Sequence, residues 1–102
     1  MGQMTKRTKA LAIPASVKRR VQERDKGLCV LCGRPGDPVC HFISRAHGGL
    51  GIEENIWTGC CDCHRAYDQG INRYQIRHRL AGYFRSKYPG WDDLTLVYKK
   101  GI

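Results

Sequence analysis

A chain of 102 residues with a formal charge of +9 has room for one small domain, and so short a chain buries too little apolar surface to be held by its core alone. No stretch approaches the roughly 18 apolar residues of a membrane-spanning helix, and the N-terminus lacks the apolar segment of a secretory leader, so a cytoplasmic protein with no membrane partner is expected. Six cysteines in such a compartment are better explained as metal thiolates than as disulfides.

The charge is unevenly placed. Residues 1–27 carry eight Lys and Arg against two acids, residues 65–102 carry eight against three, and residues 28–64 carry two against four. Basic flanks around a slightly acidic centre are the electrostatic footprint of a polyanion binder, and nucleic acid is the expected partner.

Residues 1–12 show no sustained period and are expected as a flexible basic arm, leaving a single domain over 13–102. From Pro14 to about Asp25, Val17 and Val21 recur one helical turn apart with Lys18, Arg19, Arg20 and Arg24 on other faces, which predicts a short amphipathic helix. Glycines and prolines between Gly33 and Pro38 then exclude regular structure. Val39–Ser44 alternates as a strand, a glycine-rich loop follows, and Ile56–Thr58 pairs back as a second strand. Cys60 to about Gln69 has helical spacing ending at Gly70, and a further helix is expected over about 72–86 before Pro89-Gly90. Tyr74, Tyr83, Phe84 and Tyr88 fall at near-helical spacing in it and read as core. The tail after Trp91 is ambiguous between strand and coil.

Two Cys-x-x-Cys pairs, Cys29 with Cys32 and Cys60 with Cys63, stand 27 residues apart. Four thiolates complete the closed tetrahedral shell of structural Zn2+, which would supply folding free energy that the core lacks. The first pair lies on a turn and the second opens a helix, so one ion would tie the start of the domain to its later helix in a treble-clef-like frame. Cys61 reads as a small buried hydrophobe, since Cys60 shares a helical face with Cys63.

Between and beyond these pairs lie His41, Asn55 and His64. The segments CHFISRAHGG, EEN and CDCHRAYD, in that order and with both cysteine pairs, resemble the HNH endonuclease family over about residues 24–68. The resemblance implies an α+β fold with a ββα-metal core over about 28–70 and a metal-dependent endonuclease acting on DNA, expected to be double-stranded. It further implies that His41 is the general base, that His64 holds the catalytic divalent metal, and that Asn55 braces the loop, an orienting amide whose loss would lower activity without unfolding the chain. Asp68, one turn after His64, is either a third ligand or a solvated helix acid.

The residue before the general base is commonly Asp or His in that family, whereas here it is Cys40. A thiolate there would favour zinc over magnesium, so Mg2+, Mn2+, Ni2+ or Zn2+ all stay open; Cys40 is otherwise a packed strand residue. Arg45 is placed to grip the scissile phosphate, with Gly48-Gly49 letting backbone approach it, and His47 reads as an exposed loop residue. Arg19, Arg20, Arg73 and Arg77 are candidates for binding the DNA backbone. Small proteins that resemble this one are frequent in phages and prophages, some working with packaging or restriction machinery. The competing expectation is a non-catalytic zinc module that binds DNA or protein.

Overall fold

The computed structural model describes residues 5–99. The elements run α1 (Lys6–Leu11), α2 (Ala15–Asp25), β1 (Asp37–His41), β2 (Ile56–Gly59), α3 (Cys61–Gln69) and α4 (Arg73–Lys87), with short 3-10 turns at Arg45–His47 and Asp93–Thr95. This is a small α+β fold in which a two-stranded antiparallel hairpin is followed by a helix.

The first departure from expectation is at the N-terminus. Of the arm expected over 1–12, residues 1–4 lie outside the described residues, but Lys6–Leu11 is helical, capped by the Thr5 side chain accepting from the Thr8 N–H. Leu11 is buried and draws this helix onto the domain. α2 stops at Lys26, which takes the left-handed conformation at φ 59° before Gly27.

β1 and β2 pair with Cys40 opposite Trp57 and His41 opposite Ile56, and the register slips between Asp37 and Cys40. Phe42 adds one more main-chain bond, from its N–H to the Asn55 carbonyl. The strand ends short of Ser44 because Asn55 then replaces the ladder with its side chain. Its Oδ1 accepts from the Ile43 N–H at 2.8 Å, and its Nδ2 donates to the carbonyls of Ile43 and Leu50.

The main core packs Cys40, Phe42, Trp57, Leu80, Phe84 and Leu96. Phe84 and Trp91 stack with centroids 5.4 Å apart, and Phe42 meets both edge-on. Each such side chain contributes roughly 1.5–3 kcal/mol through burial, and Phe42 thereby anchors the end of β1 beside His41. A second cluster joins Val17 and Val21 of α2 to Ile56, as the helical spacing implied. Of the four aromatics expected in the α4 core, Phe84 is fully buried and Tyr83 and Tyr88 partly, but Tyr74 is 75% exposed. The tail forms the second 3-10 turn and a bridge from Val97 to Gly49.

The interior also holds an ion pair that helical spacing does not predict. Arg24, which that spacing places on an outer face of α2, makes a two-pronged ion pair with its neighbour Asp25, both bonds 2.8 Å, with side chains 10% and 0% exposed. The guanidinium also donates to the carbonyls of Glu53 and Ile56 and to the Tyr88 hydroxyl, while Asp25 accepts from Tyr83 and from the Thr58 N–H. This network ties the end of α2 to β2 and α4. Burial raises the Asp25 carboxyl, but the hydrogen bonds from Arg24, Tyr83 and Thr58 outweigh it and hold the group below the usual carboxylate range.

Candidate metal centre and the adjoining histidine cleft

The four cysteines of the two Cys-x-x-Cys pairs come together. Their sulfurs all lie within 4.8 Å of one another, with Cys32 and Cys60 at 3.6 Å, and none is in a disulfide. Zn–S bonds of about 2.3 Å in a tetrahedron require sulfurs roughly 3.8 Å apart, so the set fits a structural metal such as zinc. Cys29 and Cys32 sit on the turn after α2, Cys60 caps α3 by accepting from the Cys63 N–H, and Cys63 lies in its first turn. Cys61 is exposed, which corrects its reading as a buried hydrophobe and leaves it outside the set. Arg34 reaches the sulfurs of Cys32 and Cys60 and pairs with Asp62. Its hydrogen bond holds the Cys32 thiol down to about 6, whereas burial and the neighbouring sulfurs raise Cys63, so without an ion the negative charge gathers on the Arg34 side of the set.

Beside this centre, His41 from the end of β1, Ser44 and Arg45 from the loop, His64 and Asp68 from α3, and Lys18 from α2 line one cleft of about 430 Å3. His64 and Asp68 are one turn apart on α3, with Nε2 and Oδ2 at 3.3 Å. His41 is half-buried, and burial, followed by the nearby charges of Arg45 and His64, keeps its imidazole below the ordinary value of 6.5 against the opposing hydrogen bond to Leu11. That bond joins Nε2 to the Leu11 carbonyl at 3.1 Å. A carbonyl only accepts, so Nε2 carries the proton and Nδ1 keeps a lone pair, the form a proton acceptor needs.

No family model matches this sequence, and comparison with curated proteins finds no match.

Other expected residues fall elsewhere. Cys40 is not part of the cleft: alternation along β1 turns it to the opposite face from His41, where it is 1% exposed between Trp57 and the close approach of Gly59. Burial, then the charges around Cys29 and Asp68, pushes its thiol up to about 12. Asn55 is fully buried and engaged in the three bonds given above, so it fixes the loop that carries Arg45 without touching the cleft. Losing it would leave the Ile43 N–H and the carbonyls without these partners, a cost to stability as well as to the placing of the loop. Gly49 does not offer backbone to a phosphate. It is buried, and a Cβ there would stand 1.7 Å from the Ile43 carbonyl oxygen, so the missing side chain makes room for the chain itself.

His47 is exposed, its Nδ1 2.7 Å from the Ser44 hydroxyl. Arg19 and Arg20 are exposed on α2, Arg20 facing Glu53 at 3.4 Å, whereas Arg73 and Arg77 line a second cleft bordering the first. The Leu11 carbonyl was missed, and no side-chain pattern could have revealed it, because the interacting group is backbone. Lys18 had a weak signal as one of several basic residues on α2, but which of them faces the histidines depends on how that helix packs.

Proposed function

We propose that this chain is a metal-dependent endonuclease of the HNH type that hydrolyses DNA phosphodiester bonds. The observation that carries the reading is the convergence of His41, Arg45, His64 and Asp68, from β1, the loop and α3, on one cleft. A small zinc module that only binds has no need of them there. The His64 ring meets the buried Trp57 edge-on at 6.3 Å while its Nε2 faces Asp68, and His41, His64 and Asp68 belong to neither apolar cluster.

In this reading Nδ1 of His41 accepts the proton of a water as its oxygen attacks phosphorus, and the P–O bond to the leaving oxygen breaks. Arg45 and Lys18 offer positive charge to the non-bridging oxygens. His64 and Asp68 would hold a divalent cation, whether Mg2+, Mn2+, Ni2+ or Zn2+. Bound there, such an ion supplies Lewis-acid stabilisation to the phosphate and the departing oxygen. Duplex DNA is the proposed partner, held through its backbone by the basic flanks. A phage or prophage setting alongside packaging or restriction machinery, and a cytoplasmic place of action, belong to the same proposal.

The test is nicking of supercoiled plasmid by zinc-loaded protein freed of excess metal and supplied with each of the four ions, with His41→Ala in parallel. Cleavage that needs an added ion and vanishes in His41→Ala supports the proposal. A second reading, a non-catalytic zinc-stabilised module that binds DNA or protein, has one observation in its favour. With Cys40 turned into the core, the four-cysteine set is the only group of three or more potential ligands among the described residues, and His64 and Asp68 stand as a pair. Wild type and His41→Ala equally inert, yet both binding DNA, would establish that module instead.

A further inference from the structure

Tyr74 stands in the first turn of α4 with its ring in solvent, and it borders a second cleft of about 550 Å3. This volume lies within the roughly 300–1,000 Å3 typical of small-ligand sites. His41, Ser44 and Asp68 line both this cleft and the histidine cleft, so the two adjoin at those residues. The lining carries Arg73 and Arg77 against a single acid, Asp68, beside the rings of His41 and His47, a set that suits a phosphate-bearing occupant.

Both cations lie against aromatic rings. The Arg73 guanidinium lies 5.4 Å from the centre of the Tyr74 ring. Arg77 lies over the Phe42 ring at 4.6 Å, with one nitrogen 3.3 Å from Asp93. An exposed aromatic ring next to a guanidinium, in a cleft lined by arginines, is the combination on which unpaired nucleotides rest: the base lies on the ring and the phosphate meets the cation. A duplex could use the arginines but not the ring, because its base faces are already stacked on one another.

We propose that this second cleft is a nucleotide subsite in which a strand locally unpaired from the duplex, running past His41, lays a base on Tyr74 and a phosphate against Arg73. The direction of the strand rests on the nuclease reading; the chemistry of the subsite does not.

The test is fluorescence anisotropy with a labelled oligo-thymidylate of about a dozen nucleotides and, separately, a duplex of equal length. Zinc-loaded protein without a second metal prevents turnover. Tyr74→Leu is expected to weaken binding of the single strand about ten-fold while changing duplex binding little, and Tyr74→Phe to bind as wild type does. Because the ring is exposed, Tyr74→Leu should melt with the wild type. Unchanged single-strand affinity in Tyr74→Leu, or equal loss on both probes, overturns the subsite. Plasmid nicking is read independently, so a protein that never cleaves but shows the Tyr74 dependence keeps the subsite and loses the nuclease reading.

Discussion

The imidazole of His41 and the main-chain carbonyl of Leu11 are bonded at 3.1 Å across 30 positions of sequence, which ties the N-terminal helix to a residue of the histidine cleft. Three further contacts seat that segment. Gly51 donates its N–H to the Ala10 carbonyl, Arg7 donates to the Arg45 carbonyl, and a Cβ on Gly51 would come within 1.9 Å of the Ala12 oxygen. Gly51→Ala should therefore push the 10–13 segment away and free the His41 ring. Nitrogen-15 spectra of the imidazole are expected to show the Nε2–H form in the wild type and a mixture of tautomers in Gly51→Ala, with nicking reduced about ten-fold or more and zinc retained. An unaltered tautomer in the variant would show that the Leu11 carbonyl does not set it.

The depressed basicity of His41 has a pH signature. Buried beside two other potential cations, the ring stays neutral below 6.5, so the acidic limb of the nicking rate should lie below that pH. The effect on stability has a definite sign. The unfolded chain binds the proton first, so stability falls as pH drops from about 6.5 through the folded value, and above that range His41 contributes no slope. Arg45→Gln removes one repelling charge and should raise the titration midpoint of His41 followed by NMR, even where it abolishes cleavage.

Asp25→Asn tests the buried ion pair. The substitution leaves the Arg24 guanidinium in the interior without its counter-charge, and breaking one side of such a pair costs about 3–5 kcal/mol. Urea denaturation of zinc-saturated protein should show a loss of that order. Arg24→Lys is expected to fall in the same direction, because a point-like ammonium cannot make the two-pronged bond and also reach the carbonyls of Glu53 and Ile56.

The metal centre distinguishes adjacent cysteines. Cys60→Ser removes a metal ligand while leaving a hydroxyl that can still cap α3, and should lose bound zinc and unfold, while Cys61→Ser, altering an exposed thiol, should bind one zinc per chain and melt with the wild type. Elemental analysis with circular dichroism reads both. Equal zinc content in the two variants would mean that Cys61 can replace Cys60.

Much of this was legible in sequence because it is local. Cys60 and Cys63 share a helix turn by spacing alone, Val17 and Val21 define the buried stripe of α2, and Gly70 and Pro89 bound the helices around them. His64 and Asp68 needed only helical periodicity to be placed together. Where the reading went astray, the deciding contact was remote. Tyr74 has the spacing of a core residue, but among the described residues no element covers that part of α4. Arg24 has the composition of a surface residue, yet its neighbour Asp25 turns inward with it because Tyr83, Tyr88 and the β2 backbone supply partners.

The sequence by itself determined the paired cysteines, the hairpin followed by a helix, and the residue types available for chemistry, since these follow from periodicity and short-range geometry. Only the tertiary structure decided that Cys40 faces the core while His41 faces the cleft, that Asn55 holds the loop by replacing a strand partner, and that Leu11 selects the tautomer of His41. Each of these depends on which backbone groups meet across the fold, and a main-chain carbonyl leaves no mark in the order of side chains.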